Sequence, residues 1–142
     1  LDWEGNGNHG TLTNMDPLTD WVYGQKSKAL DFDGSDDFVT LGAVIDASNL
    51  RPITLSVWAK TDTTSKSIQS VFTANTDDPG PRLYIDLKQA SGTTYNMRFY
   101  SDTYATLSTS FTLDTQWHQY AWTWNTDDTV EYFMDGASLG TV

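Results

Sequence analysis

The sequence predicts an all-β fold of antiparallel strands stacked as a sandwich or closed as a barrel, and three observations predict it. Apolar residues recur with a period of two along segment after segment, which places them on one face of an extended chain. Turn signals arrive roughly every 8–15 residues, the spacing of short strands. No window carries the i, i+3, i+4, i+7 apolar stripe of a helix.

The elements follow in order. Residues 29–33 and 38–41 are the first two candidate strands, separated by Asp33-Gly34. Residues 53–60 alternate with Ile53, Leu55, Val57 and Ala59 on one face and Trp58 on the other. Residues 67–73 follow, then 82–88, where Leu83, Ile85 and Leu87 oppose Tyr84, Asp86 and Lys88. Residues 96–101, 106–112, 117–124 and 130–134 complete the set. Thr, Val, Tyr, Phe and Trp crowd these segments, as a pleated, half-buried surface prefers. Asp78-Pro79-Gly80-Pro81, Ser91-Gly92 and Asp135-Gly136 supply further turns. Asp-Gly suits the left-handed dihedrals of a tight hairpin, so Met134 and Ala137 should flank a reversal. Residues 46–49 hold at most one helical turn. No repeat or linker divides the chain, which reads as a single domain over residues 1–142.

Composition removes several function classes. The 142 residues carry 19 acids against 8 bases, a formal charge of −11 that repels phosphate backbones. Nucleic acid and anionic membranes are therefore not expected partners, and no stretch approaches the ~20 apolar residues that insertion into a bilayer requires. Neither is a signal peptide visible. The chain opens on Leu1, which leaves room for a leader or upstream domain. Cysteine is absent, so nucleophilic chemistry through a thiol is excluded, and no Gly-x-Ser-x-Gly elbow replaces it. His9 lies in a Gly/Asn-rich loop, while His118 opens an aromatic-rich strand, a setting that favours a structural role.

Three kinds of site remain. Glycoside hydrolysis needs two carboxyl groups facing each other across a cleft. The pairs Asp36-Asp37, Asp77-Asp78 and Asp127-Asp128 are adjacent in sequence, so a strand would point each pair to opposite faces. Calcium takes six to eight oxygen ligands, often from loops. Asn75-Thr76-Asp77-Asp78-Pro79-Gly80 is dense in such oxygens, which makes Asn75, Asp77 and Asp78 the candidate Ca2+ ligands, with a solvated turn as the alternative. Carbohydrate binding needs aromatic platforms beside polar groups that fix orientation. Tyr84, Arg98 and Tyr100 share the outward face if Leu83, Met97 and Phe99 point to the core. Trp58 lies opposite its strand's aliphatic set, as a covered second-layer residue would.

Trp117-His118-Gln119-Tyr120-Ala121-Trp122-Thr123-Trp124, followed by Val130-Glu131-Tyr132-Phe133-Met134-Asp135-Gly136, resembles a signature of concanavalin A-like jelly rolls, specifically laminin-G-like and pentraxin-like domains. Gly7-Asn8-His9-Gly10-Thr11-Leu12, the stretch from Ala29 to Val39 and the stretch from Ile53 to Lys60 agree with it in order. The resemblance implies a two-sheet antiparallel jelly roll that binds sugars, glycoproteins or other proteins, often through Ca2+. It also implies an extracellular or cell-surface setting, within a longer parent chain that carries other domains. In pentraxins an Asp-Asn pair ligates calcium, and by register Asp77 and Asp78 fall on that pair. Ser56 and Ala121 occupy the positions of the pentraxin disulfide, so they should sit side by side on neighbouring strands. Gln119 stands where a second histidine is common and should be structural. The family pattern continues past both ends of this sequence, so the first and closing strands are expected to be missing.

The resulting expectation is a non-catalytic recognition module for carbohydrate or glycoprotein, with Ca2+ as its cofactor. A glycoside hydrolase or lyase on the same fold, or a structural adhesion spacer, is the alternative. All depend on a dry interior between two layers, with Phe32, Leu55 and Tyr132 among its residues.

Overall fold

The computed structural model describes residues 9–41, 51–75, 82–101 and 104–142. Among them there are twelve strands and no helix, so none is available to cross a membrane. The chain forms two compact units, residues 1–44 and 45–142.

The first unit contains two short antiparallel pairs. β1 (Thr11–Thr13) pairs with β4 (Phe38–Thr40), Leu12 opposite Val39. β2 (Trp21–Tyr23) pairs with β3 (Lys28–Leu30). None of the unit's described side chains is buried. Phe32 departs from its expected interior position and is 49% exposed. Its strand ends at Leu30, and the Asp31 amide adds one further rung to the β2–β3 pair by donating to the Asp20 carbonyl at 2.8 Å. The backbone then enters the Asp33-Gly34 turn, with the Ser35 amide donating to Asp33 Oδ1 at 2.7 Å and Gly34 at φ 74°. Two-residue alternation stops before it reaches Phe32, so the strand parity that predicted burial no longer applies.

The second unit is a sandwich. One sheet runs β12-β11-β10-β5, where β5 is Ile53–Ala59, β10 His118–Trp124, β11 Val130–Met134 and β12 Ala137–Thr141. The other runs β6-β7-β8-β9, with β6 Ile68–Asn75, β7 Arg82–Ser91, β8 Thr94–Ser101 and β9 Tyr104–Thr112. All described pairings are antiparallel. The inner faces meet through Leu83, Ile85, Leu87, Met97 and Phe99 on one side and Tyr120, Trp122, Trp124 and Tyr132 on the other. Phe99 packs on Trp124 with ring centroids 4.8 Å apart, and Phe111 meets Tyr120 edge-on at 5.7 Å. Each large side chain removed from water this way contributes about 1.5–3 kcal/mol. Tyr132 is fully buried and Leu55 packs against the cluster, as expected.

Ala121 lies directly opposite Ser56 in the β10–β5 ladder, which confirms the predicted register. Residues opposed in this way are separated by ~4.5–5.5 Å between Cα atoms, within reach of a bridge had both been cysteine. Of the three turns expected in this unit, the one at residues 78–81 lies outside the described residues and the other two are present. Gly92, at φ 53°, begins the two-residue connection between Ser91 and Thr94. Asp135 and Gly136, at φ 52° and 79°, form the doubly left-handed turn that joins the paired residues Met134 and Ala137.

Candidate functional site

The hairpin of β7 and β8 positions the three residues expected to touch ligand. Its register sets Tyr84 opposite Tyr100, Asp86 opposite Arg98 and Lys88 opposite Asn96. Leu83, Ile85 and Leu87 point inward, as do Met97 and Phe99, so pleating sends the whole row to the outer face of the sheet. The structure therefore brings Tyr84, Arg98 and Tyr100 together. The two tyrosine rings are 5.8 Å apart at 47°, a shallow wedge of aromatic surface, and both residues are half-buried.

Between the tyrosines and the turn lies an ion pair. Arg98 donates from Nε to Asp86 Oδ1 at 2.7 Å and from Nη2 to Asp86 Oδ2 at 2.5 Å, a two-pronged match of fork to carboxylate. Asp86 is only 7% exposed, although it stands on the outer face. The hydrogen bond to Asp86 raises the proton affinity of the guanidinium above its ordinary value, against the opposing effect of burial. On β9, Ser108 lies opposite Arg98, and Ser110 donates to Asn96 Oδ1 at 2.7 Å. The assembled surface offers two ring faces, phenol and serine hydroxyls, an amide and the remaining N–H groups of Arg98. The Asp86–Arg98 pair was not among the expected site residues. The sequence does not show it, because the irregularity between Gln89 and Ser91 shifts the hairpin register by one residue before Asp86 meets Arg98.

His118 proves to be structural in its contacts. Its Nδ1 lies 2.6 Å from Asp135 Oδ2 and its Nε2 3.0 Å from Asp114 Oδ1. Asp135 also accepts the Gln119 amide at 2.9 Å, tying the β11–β12 turn to the start of β10. The hydrogen bond to Asp135 is the main reason that the imidazole's pKa is raised, and burial opposes it. Asp135 is lowered chiefly by His118, and Asp114 chiefly by the Gln116 amide and then His118. Burial pushes the Tyr120 hydroxyl beside this cluster up to about 12. Gln119 donates from Nε2 to Ser56 Oγ at 3.0 Å, a cross-strand brace that fits the structural role expected of it. Trp58, paired with Gln119, is half-buried on the outer face of its sheet.

Of the expected calcium ligands, Asp77 and Asp78 lie outside the described residues. Asn75 closes β6, and its side chain lies outside them too. In the first unit, carboxylate oxygens of Asp33, Asp36 and Asp37 gather within 4.8 Å of one another. They already accept local hydrogen bonds, from the Ser35 amide to Asp33, from Asn14 Nδ2 to Asp36 and from the Asp33 amide to Asp37. Solvated acidic trios of this kind are ordinary on surfaces. Among the described carboxyl groups every resolved pKa displacement runs downward, at Asp114, Asp127 and Asp135, whereas a general acid requires the opposite. A cleft in the second unit, lined by Ile53, Leu55, Phe72 and Trp122 among others, is almost wholly apolar and offers little to orient a sugar.

A family model described as concanavalin A-like lectin/glucanases superfamily, Laminin_G_3, matches residues 33–142. No curated protein and no solved structure gives a significant match.

Proposed function

The chain belongs to the concanavalin A-like lectin/glucanase superfamily, and from that premise we propose that it is a non-catalytic recognition module for carbohydrate or glycoprotein. One observation carries the reading: Tyr84 and Tyr100 form a half-buried aromatic wedge beside the fixed fork of Arg98, on the outer face of the sheet. Sugar rings bind by laying C–H faces on aromatic rings while a few placed polar groups read their hydroxyls, and this face has both components. Arg98 spends two N–H groups on Asp86 and has three more for sugar oxygens.

The superfamily includes glycosidases, so hydrolysis is the reading to be weighed against recognition. The lowered pKa values of Asp114, Asp127 and Asp135 are the opposite of what a general acid needs, which favours recognition. Calcium is assigned to the oxygen-rich stretch with Asn75, Asp77 and Asp78, and its support is the sequence resemblance. The extracellular or cell-surface setting and the longer parent chain rest on the same resemblance.

A glycan microarray probed with the full chain, with calcium and again with EDTA, tests the reading. The expected result is a set of bound glycans released intact, with signal reduced by EDTA. Calcium-independent signal removes the cofactor from the proposal. Shortened glycans recovered after incubation replace recognition by hydrolysis.

A further inference from the structure

Resting on that reading, we infer that the tyrosine face selects neutral glycans over anionic ones, because the cation placed beside the rings is already neutralised by its own strand partner. Sulfated, sialylated or uronic-acid sugars are gripped through arginine forks that match their planar or tetrahedral anions. Here the Nε and Nη2 prongs of Arg98 hold both oxygens of Asp86, a residue 93% removed from solvent. An incoming anion would have to displace a carboxylate tethered one strand away, or sit against its negative charge. Lys88 is the next residue along this face, one pair beyond Asp86 and away from the tyrosines. It is exposed, and a single solvated ammonium adds little affinity for an anion. The chain's formal charge of −11 disfavours polyanions further. Among the described side chains, what lies beside the rings is uncharged: the phenol hydroxyl of Tyr84, Ser108, Ser110 and Asn96. These groups pair with sugar hydroxyls without requiring charge.

Titration calorimetry on the full chain tests the inference with two probe groups at 0.05 and 0.15 M NaCl. The neutral group is cellohexaose, mannohexaose, xylohexaose and galactohexaose. The anionic group is a heparin hexasaccharide, hexagalacturonate and 3′-sialyllactose. The expected result is a neutral probe bound at least ~10-fold more tightly than any anionic one, with little change between the two salts. Asp86→Asn releases the fork, so it should gain at least ~10-fold affinity for the heparin probe, and that gain should shrink at the higher salt. Near-UV circular dichroism confirms that this variant is folded, and the wild-type preference decides the matter if it is not. Preference of the wild-type chain for an anionic probe overturns the inference and leaves the recognition reading standing. Binding of no probe in either group overturns both.

Discussion

At the scale of single residues, the pairing of Asp86 with Arg98 sets the character of the outer face and is also an energetic commitment. Removing one partner of a desolvated ion pair leaves the other charge uncompensated. Arg98→Ala should therefore lower unfolding stability by about 3 kcal/mol, read from urea denaturation midpoints. The joint replacement Asp86→Leu with Arg98→Met should recover most of that loss, because no buried charge is then left behind. A single-variant loss below about 0.5 kcal/mol would show that the pair is as weakly coupled as an exposed one. The sequence made the outward parity of Tyr84, Arg98 and Tyr100 legible, since each strand alternates cleanly against Leu83, Met97 and Phe99. It did not reveal who shares Arg98, because that requires the cross-strand register as well as the alternation along each strand. Phe32 failed for a related reason: periodicity describes a chain only while it stays extended, and β3 ends at Leu30, just before the Asp33-Gly34 turn.

Among the elements, the β10 start and the β11–β12 turn are joined by the His118 imidazole between two carboxylates and by backbone hydrogen bonds of Gln119 with Asp135. His118 has a raised pKa in the folded chain, so its contribution is fully present below the unfolded value of 6.5 and is lost as pH rises through the folded value. Asp114 and Asp135 are lowered, so theirs is present above 3.8 and is lost as pH falls through their folded values. The clamp is therefore strongest between those two limits. A melting-temperature profile of the wild-type chain minus that of His118→Gln should peak in the window and decline on both sides. A difference that stays flat from pH 4 to pH 9 would mean that protonation of His118 is not what holds the turn. Elements with strong side-chain alternation were legible from the sequence almost to the residue: residues 53–60 and 130–134 appear as β5 and β11. β7, β8 and β9 run longer than expected, taking in residues 89–91, 94–95 and 104–105, because backbone pairing continues past the segments that alternate. β1, β2 and β12 were not among the expected strands.

Taken as a whole, the second unit converts simple alternation into two chemically different surfaces. Inward positions make an aromatic interior rigid enough to hold the outer face flat, and outward positions on β7 and β8 make the aromatic and polar row. The two-layer architecture was legible because thirteen buried apolar residues fall on strand positions, or one residue beyond, that the pattern had already marked or extended. The calcium expectation is a sequence-based assignment, since Asp77 and Asp78 lie outside the described residues and the composition of the stretch from Asn75 to Gly80 names ligands without naming geometry. The central claim is that recognition takes place on the tyrosine wedge. The most direct test is the glycan-array profile of the double variant Tyr84→Ala/Tyr100→Ala beside that of the wild-type chain, with melting temperatures matched. Loss of each stacked ring costs about 1 kcal/mol or more, so the account predicts at least a ~10-fold fall in signal for every glycan the wild-type chain binds. An unchanged profile from a folded double variant would contradict it and move the binding site off this sheet.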